Sequence, residues 1–351
     1  MSEESMLIEA FDARVRRREE RRDLFKAVLG VAAVGAGFAF ASPAAAQTVT
    51  DNDILNFALN LEYLEAQFYS YAFNGTGLPA NILTGSTTTG AAGTVQTGGT
   101  NPPRRVDFSG EPLIAQYARE IAADEVAHVN FLRTALTSGA ATAYVAQPAI
   151  NISGDANGPF TAAANAAGID LTASGGVFDP YASPNNVLLG SFIFEDVGVT
   201  AYKGSSTLIS SATILDAAAG ILAVEAFHAG IIRGALYSRG VATPDLRTNA
   251  DKIAAARDSV DGNTNSAATA VPRLYANDDQ GVSPVQTALT SSAGTTTATA
   301  SNIAPTDANG VAFGRTAQQV LNVVYLNRAA VTMGGFFPNG VNGTIRTSAA
   351  N

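Results

Sequence analysis

Apolar residues recur at helical spacing in four long stretches of the chain, the first three opened by capping chemistry. The first, about 51–73, follows Thr50, Asp51 and Asp53 and aligns Leu55, Ala58, Leu59, Glu62, Ala66 and Tyr69 on one stripe. The second, about 111–137, opens after Ser109 with Pro112 in its first turn and aligns Tyr117, Ile121, Glu125, His128, Leu132 and Ala135. The third, about 185–209, follows Ser183-Pro184, a cap and first-turn pair, and aligns Leu188, Ser191, Glu195, Val199 and Tyr202. The fourth, about 212–238, aligns Leu215, Ala218, Leu222, Glu225, His228 and Ile232 and ends near Gly240. A short Ser/Thr link joins the third stretch to the fourth, which predicts antiparallel neighbours. A fifth helix is predicted over about 315–333, stopped by Gly334-Gly335 and the Pro338-Asn339-Gly340 turn. Between these elements, 74–108, 139–182 and 243–312 are rich in Gly, Thr, Asn, Ala and Ser, and 288–303 is low in complexity. The pattern predicts an all-α fold, a four-helix bundle with a fifth C-terminal helix and long irregular insertions.

Each of the four stripes is broken at its centre by a glutamate or a Glu/His pair. Buried charge costs several kcal/mol unless it is paired or bound to metal, so four such breaks call for a shared counter-charge. The chain has two histidines, and both stand three residues after a glutamate, in Glu125-Val-Ala-His128 and Glu225-Ala-Phe-His228. At that spacing the carboxylate and the imidazole project from one helix face and can serve one metal ion together. Only seven glutamates follow residue 46, so the coincidence of both histidines with Glu at i−3 is a strong signal. A degenerate repeat reinforces it: Glu62 and Glu195 are each followed seven residues later by a tyrosine, Tyr69 and Tyr202. The chain reads as two copies of a helix pair, Glu and then Glu-x-x-His, which is the ligand order of a dinuclear carboxylate site.

The net charge of −9 argues against a nucleic-acid partner, which calls for a basic surface. With no cysteine, disulfides, thiolate metal sites and thiol nucleophiles are excluded. Residues 1–46 read as an export signal rather than as fold. Arg21-Arg22 precede Leu24-Phe25-Lys26, a weakly apolar Ala/Gly/Val run follows, and Ala44-Ala45-Ala46 offer a small-x-small cleavage site before Gln47. The paired arginines resemble a twin-arginine signal, which carries folded proteins to the periplasm or the exterior. The alternative is a membrane anchor, but the run from Ala27 to Ala41 is short of the ~20 residues a span needs. Cleavage leaves a 47–351 domain with no stable membrane span.

The segments Leu61-Glu62-Tyr63-Leu64-Glu65-Ala66-Gln67-Phe68-Tyr69, Asp124-Glu125-Val126-Ala127-His128 and Phe336-Phe337-Pro338-Asn339-Gly340-Val341-Asn342-Gly343 resemble the ferritin-like superfamily. Within it they look like the desiccation-related, ferritin-like domain proteins. The resemblance implies that Glu62, Glu125 and His128 hold one metal and Glu195, Glu225 and His228 the other, with Glu125 and Glu225 as bridges. Glu65 lies only about 60° around the helix from Glu62, so it is the competing first-helix ligand or an outer residue. Asp124 stands where superfamily members orient a ligand histidine, while the fourth helix has Val224 there. Tyr69 and Tyr202 are read either as packing or as groups beside the site.

Carboxylates with one imidazole per metal suit divalent Fe or Mn. The expected partners are therefore small oxygen species or metal ions, and homo-oligomerisation is left open. Redox handling of peroxide, O2 or Fe²⁺, as by a di-iron or di-manganese catalase- or ferroxidase-like oxidoreductase, is the leading expectation. A non-catalytic envelope or desiccation protein with a structural metal is the alternative, because the superfamily hosts many reactions.

Overall fold

Thr50 opens the first helix, α1 (Asp51–Asn74), with a reciprocal cap: its side chain accepts from Asp53 N–H, and the Asp53 carboxylate accepts from Thr50 N–H. The computed structural model describes residues 49–86, 91–137, 143–262, 278–292, 294–307 and 309–351, so the export-signal reading of 1–46 lies outside the described residues. Helix α2 (Pro112–Thr137) packs along α1. After the short α3 (Pro159–Ala166), α4 (Pro184–Ser205) starts on the Ser183 cap with Pro184 in its first turn. Its partner α5 (Ala212–Arg239) is capped by Ser211. Contacts of α1 with α4 and of α2 with α5 close the four helices into a bundle. The fold class and the four helix spans are those the periodicity predicts, except that α4 stops at Ser205.

Three expectations need correction. The 243–312 segment is not irregular: it holds α6 (Asp245–Asp261) and an antiparallel hairpin of β1 (Val285–Ser291) and β2 (Gly294–Ala300). Helix α6 buries Leu246, Ala250, Ile253, Ala254, Arg257 and Asp261. That stripe is hard to see because two of its members are alanines and two are charged. The 139–182 segment likewise contains α3. Third, the last helix, α7, spans only Ala317–Tyr325. Leu326 turns left-handed at φ 52°, and the Asn322 side chain ties the stop to Asn327 and Ala349 carbonyls.

The C-terminal Phe-Phe segment is part of the core. Phe336 and Phe337 are fully buried, and the Phe336 ring stands edge-on to Phe160 and Phe194 at 5.1 and 4.9 Å between centroids. Asn342 exchanges two hydrogen bonds with Asn60, of 2.8 and 2.9 Å, fastening the tail two residues from Glu62. One described helix, α5, is long and apolar enough to cross a membrane. It carries Glu225, His228 and Arg233 buried into the bundle, which places it among the packed helices.

Candidate metal centre

Mid-bundle, α1 delivers Glu62, α2 delivers Glu125 and His128, α4 delivers Glu195, and α5 delivers Glu225 and His228 to one point. The His128 Nδ1 lies 3.1 Å from Glu62 Oε2, 3.5 Å from Glu125 Oε2 and 3.5 Å from Glu225 Oε1. The His228 Nδ1 lies 3.0 Å from Glu125 Oε1 and 3.6 Å from Glu195 Oε2. The two rings are 6.1 Å apart, and both turn the same nitrogen toward Glu125. The donor atoms form two groups, each within 4.8 Å: Glu62, Glu125, His128 and Glu225, and Glu125, Glu195 and His228. Glu125 thus belongs to both. Glu225 falls in the His128 group alone, on one side of the pair that the resemblance has it bridging.

These groups are sealed from water, yet several lack protein partners. Both oxygens of Glu125 and of Glu225, Glu195 Oε2 and His228 Nδ1 are buried with no hydrogen bond. Native interiors rarely leave such atoms unsatisfied, and here the orphans face each other. Burial pushes the Glu62 carboxyl up to about 7 and that of Glu195 up to about 8. Burial and the surrounding carboxylates hold Glu65 and Glu225 well above the ordinary range. Burial works the same way on Glu125, but the two imidazoles outweigh it and hold Glu125 down at about 2. Burial opposes protonation of the histidines, and the facing glutamates overcome it, raising His128 to about 11 and His228 to about 9. An excess of carboxylate around two imidazoles is an arrangement that compact divalent cations can neutralise.

Outer contacts hold the donors in place. Tyr69 on α1 donates to Glu195 Oε1 on α4, and Tyr202 on α4 donates to Glu62 Oε1 on α1. Each phenol occupies one carboxylate oxygen, so the other, Oε2, is the one aimed at an imidazole. The tyrosines of the repeat are therefore hydrogen-bonded to the centre as well as packed. Asp124 approaches His228 Nε2 at 3.2 Å, across the bundle rather than on its own helix, and its side chain is 43% exposed. Glu65 is buried and faces the same carboxylates, but it is outside both donor groups. Its counterpart in the repeat, Gly198, is where Glu225 fits: a Cβ there would stand 2.2 Å from Glu225 Oε2.

A second buried charged cluster escaped the sequence reading. Arg315 is 2.8 Å from Asp261 and 3.2 Å from Asp278 and also pairs with Asp279, so a guanidinium already supplies the cation there. Arg257 bridges Asp279 to Asp196 at 2.6 and 2.8 Å, and Arg233 joins Asp196 at 2.8 Å. The prior signal was arginine on otherwise apolar stripes, at Arg233 and Arg257 but not at Arg315, which precedes α7.

A family model for the ferritin-like domain matches residues 50–238, which is α1 through α5 with both Glu-x-x-His pairs. The chain belongs to the ferritin-like domain family. It is 26% identical over 305 residues to the ferritin-like catalase Nec2 of Nesocodon mauritianus, covering 84% of each chain. It is also 26% identical over 294 residues to the desiccation-related protein PCC13-62 of Craterostigma plantagineum, covering 84% of this chain and 83% of the relative. Both alignments are longer than the family match, so the shared ferritin-like chain takes in segments beyond the bundle helices. No solved structure matches the chain.

Proposed function

We propose that this ferritin-like chain holds two divalent Fe or Mn ions and turns over peroxide. The observation that carries the proposal is the buried Glu125, whose two oxygens make no hydrogen bond and each face a different histidine Nδ1. Glu62, Glu125, Glu225 and His128 would hold one ion, and Glu125, Glu195 and His228 the other. A hard carboxylate/imidazole donor set with no thiolate suits these metals. A pair of such ions supplies reversible electron transfer at two adjacent positions. The protein's share is positional. Tyr69 and Tyr202 fix the orientation of Glu195 and Glu62, the apolar stripes exclude water, and the buried Glu65, outside both donor groups, is placed to hold a proton inside the bundle. The relative named a catalase supports peroxide over the other oxygen species. The test is oxygen release from peroxide by protein loaded with Mn or Fe and freed of excess metal. Turnover well above that of the same metal in buffer is expected, and a fully loaded protein inert to peroxide would sink the reading.

A second reading, a protective protein with a structural metal, draws on the desiccation-related relative and on the depth of the centre, where Glu125 and Glu225 are 0% exposed. Under it, metal uptake raises the melting temperature while peroxide is untouched. We also propose export of the folded, loaded chain by the twin-arginine route, from Arg21-Arg22 and the Ala44-Ala45-Ala46 cleavage pattern. Replacing both arginines with lysine should trap the precursor inside the cell, and normal export of that variant would refute the route.

A further inference from the structure

The internal repeat runs further than the donor residues. Arginine follows each ligand-position histidine by five residues, as Arg133 after His128 and Arg233 after His228. Each arginine crosses to the partner helix of its pair and meets the residue directly after the ligand-position glutamate. Arg133 Nη1 donates to the Tyr63 hydroxyl at 2.7 Å, and Arg233 Nη1 donates to Asp196 Oδ2 at 2.8 Å. Each also donates to main-chain carbonyls of an insertion: Arg133 to Thr84 at 2.7 Å, and Arg233 to Gln280, Gly281, Asn302 and Ile303 at 2.9, 2.6, 2.6 and 3.1 Å. Tyr63 passes the contact on to the Ile82 carbonyl at 2.8 Å, and Asp196 is held from α6 by Arg257.

The two insertions leave the bundle at different points, one after α1 and the other after α5, and their sequences are unlike. The same offset nonetheless yields the same three-way contact, so the constraint comes from the bundle interior and not from loop ancestry. Successive residues of a helix lie about 100° apart, so fixing the side chain after a glutamate fixes the direction in which that glutamate points. A guanidinium suits the task because its planar fork can bind a side chain and carbonyls at once. We propose that Arg133 and Arg233 are paired positioning residues of the centre, each locking the rotation of the glutamate-bearing helix and anchoring it to an insertion. The proposal rests on the dinuclear reading above. The halves differ in strength: Arg233 is fully buried against a carboxylate, whereas Arg133 meets a neutral phenol nearer the surface.

The experiment titrates Mn²⁺ into full-length wild type, Arg133→Met, Arg133→Lys, Arg233→Met and Arg233→Lys, reading stoichiometry, affinity and the spin-coupled signal of a manganese pair. Hydrogen exchange at residues 82–84, 280–281 and 302–303 reports the insertions separately. Wild type should take up two coupled ions. Each Met variant should bind one of them roughly ten-fold or more weakly and lose coupling, with the larger loss at Arg233, as expected for an outer contact that orients a ligand. Lysine lacks the fork and should not restore the coupled signal. If Arg233→Met fails to fold, Asp196→Asn tests the same contact while leaving Arg233 its carbonyl partners. Variants that exchange faster in the insertions yet keep wild-type stoichiometry, affinity and coupling overturn the proposal and leave the arginines as structural clamps. A wild type that binds neither Mn²⁺ nor Fe²⁺ overturns the dinuclear reading, and this proposal with it.

Discussion

Helices α1 and α2 on one side, and α4 and α5 on the other, bring a glutamate and a Glu-x-x-His to the same point, and each side sends a tyrosine across to the other's glutamate. Their surroundings differ. The first half has Glu65 where the second has Gly198, and the space over that glycine admits Glu225 to the His128 group. Three carboxylates therefore face the Nδ1 of His128, against two at the Nδ1 of His228. In compensation His228 has Asp124 behind its outer nitrogen, while the matching residue for His128 is Val224. The second half is also braced by the Asp196–Arg233–Arg257 charge network, where the first has Tyr63 and Arg133. The repeat keeps the candidate donors and not their electrostatics, so the two proposed metal positions should be unequal, with the carboxylate-rich His128 position the tighter.

The largest effect that would break this comparison is at the residue the halves share. Glu125→Gln removes the charge common to both groups, and the expected result is loss of both ions. Glu62→Gln and Glu195→Gln should each cost one, from the His128 and His228 positions respectively. Metal-to-chain ratios on purified protein decide it. A Glu125→Gln protein that still binds two ions would show that the halves are independent.

The donors were legible before the fold because the chemistry left few candidates: two histidines, seven glutamates after residue 46, and stripes broken only at mid-helix. The helix starts were legible where a capping residue and the apolar period agree, as at Thr50 and Ser183, whereas the end of α4 at Ser205 was not. That Glu225 falls in only one of the two groups was not legible either, since its carboxylate occupies the space over Gly198 on another helix, where a Cβ would stand 2.2 Å from Glu225 Oε2. Helix α6 was hidden because its buried face ends in Arg257 and Asp261, which read as surface until Asp279 and Arg315 are seen to pair with them. Pairing between segments this distant in sequence leaves no local periodic trace.

A medium effect is expected from pH, and it sharpens the comparison histidine by histidine. Glu62 and Glu195 have folded values of about 7 and 8, above their ordinary 4.5. The folded chain therefore holds protons that the unfolded chain releases above 4.5, and stability falls as pH rises across that window. His128 and His228, raised to about 11 and about 9 from 6.5, have the same sign: their contribution is full below 6.5 and is lost as pH climbs through those values. Glu125, held at about 2, acts oppositely, and its contribution disappears only as pH falls through that value. Chelator-treated protein should thus melt at a lower temperature at pH 9 than at pH 5, while loaded protein, whose metal replaces the protons, should show a smaller drop. Because the chain has two histidines, imidazole NMR can follow both, and His228 should deprotonate before His128. Coincident titrations would mean the halves are electrostatically alike, and a midpoint that rises with pH would overturn the raised values at Glu62 and Glu195.

The smallest expected effect belongs to Asp124, and it is the most selective. Its carboxylate meets the outer nitrogen of His228 at 3.2 Å, which favours a proton on that nitrogen and leaves Nδ1 free to face Glu125 and Glu195. Losing such an outer partner commonly weakens metal binding by about 10–100-fold. At 43% side-chain exposure water can take over part of the role, so Asp124→Asn should fall near the lower end of that range. The asparagine keeps the shape and can still turn its oxygen to the imidazole, so what is lost is the charge. The weakening should appear only in the second, weaker step of a metal titration, because Asp124 meets His228, while His128 Nδ1 faces Glu62, Glu125 and Glu225. Equal weakening of both steps would show that Asp124 acts through the general field of the centre, and an unchanged second step would assign the weaker position to His128.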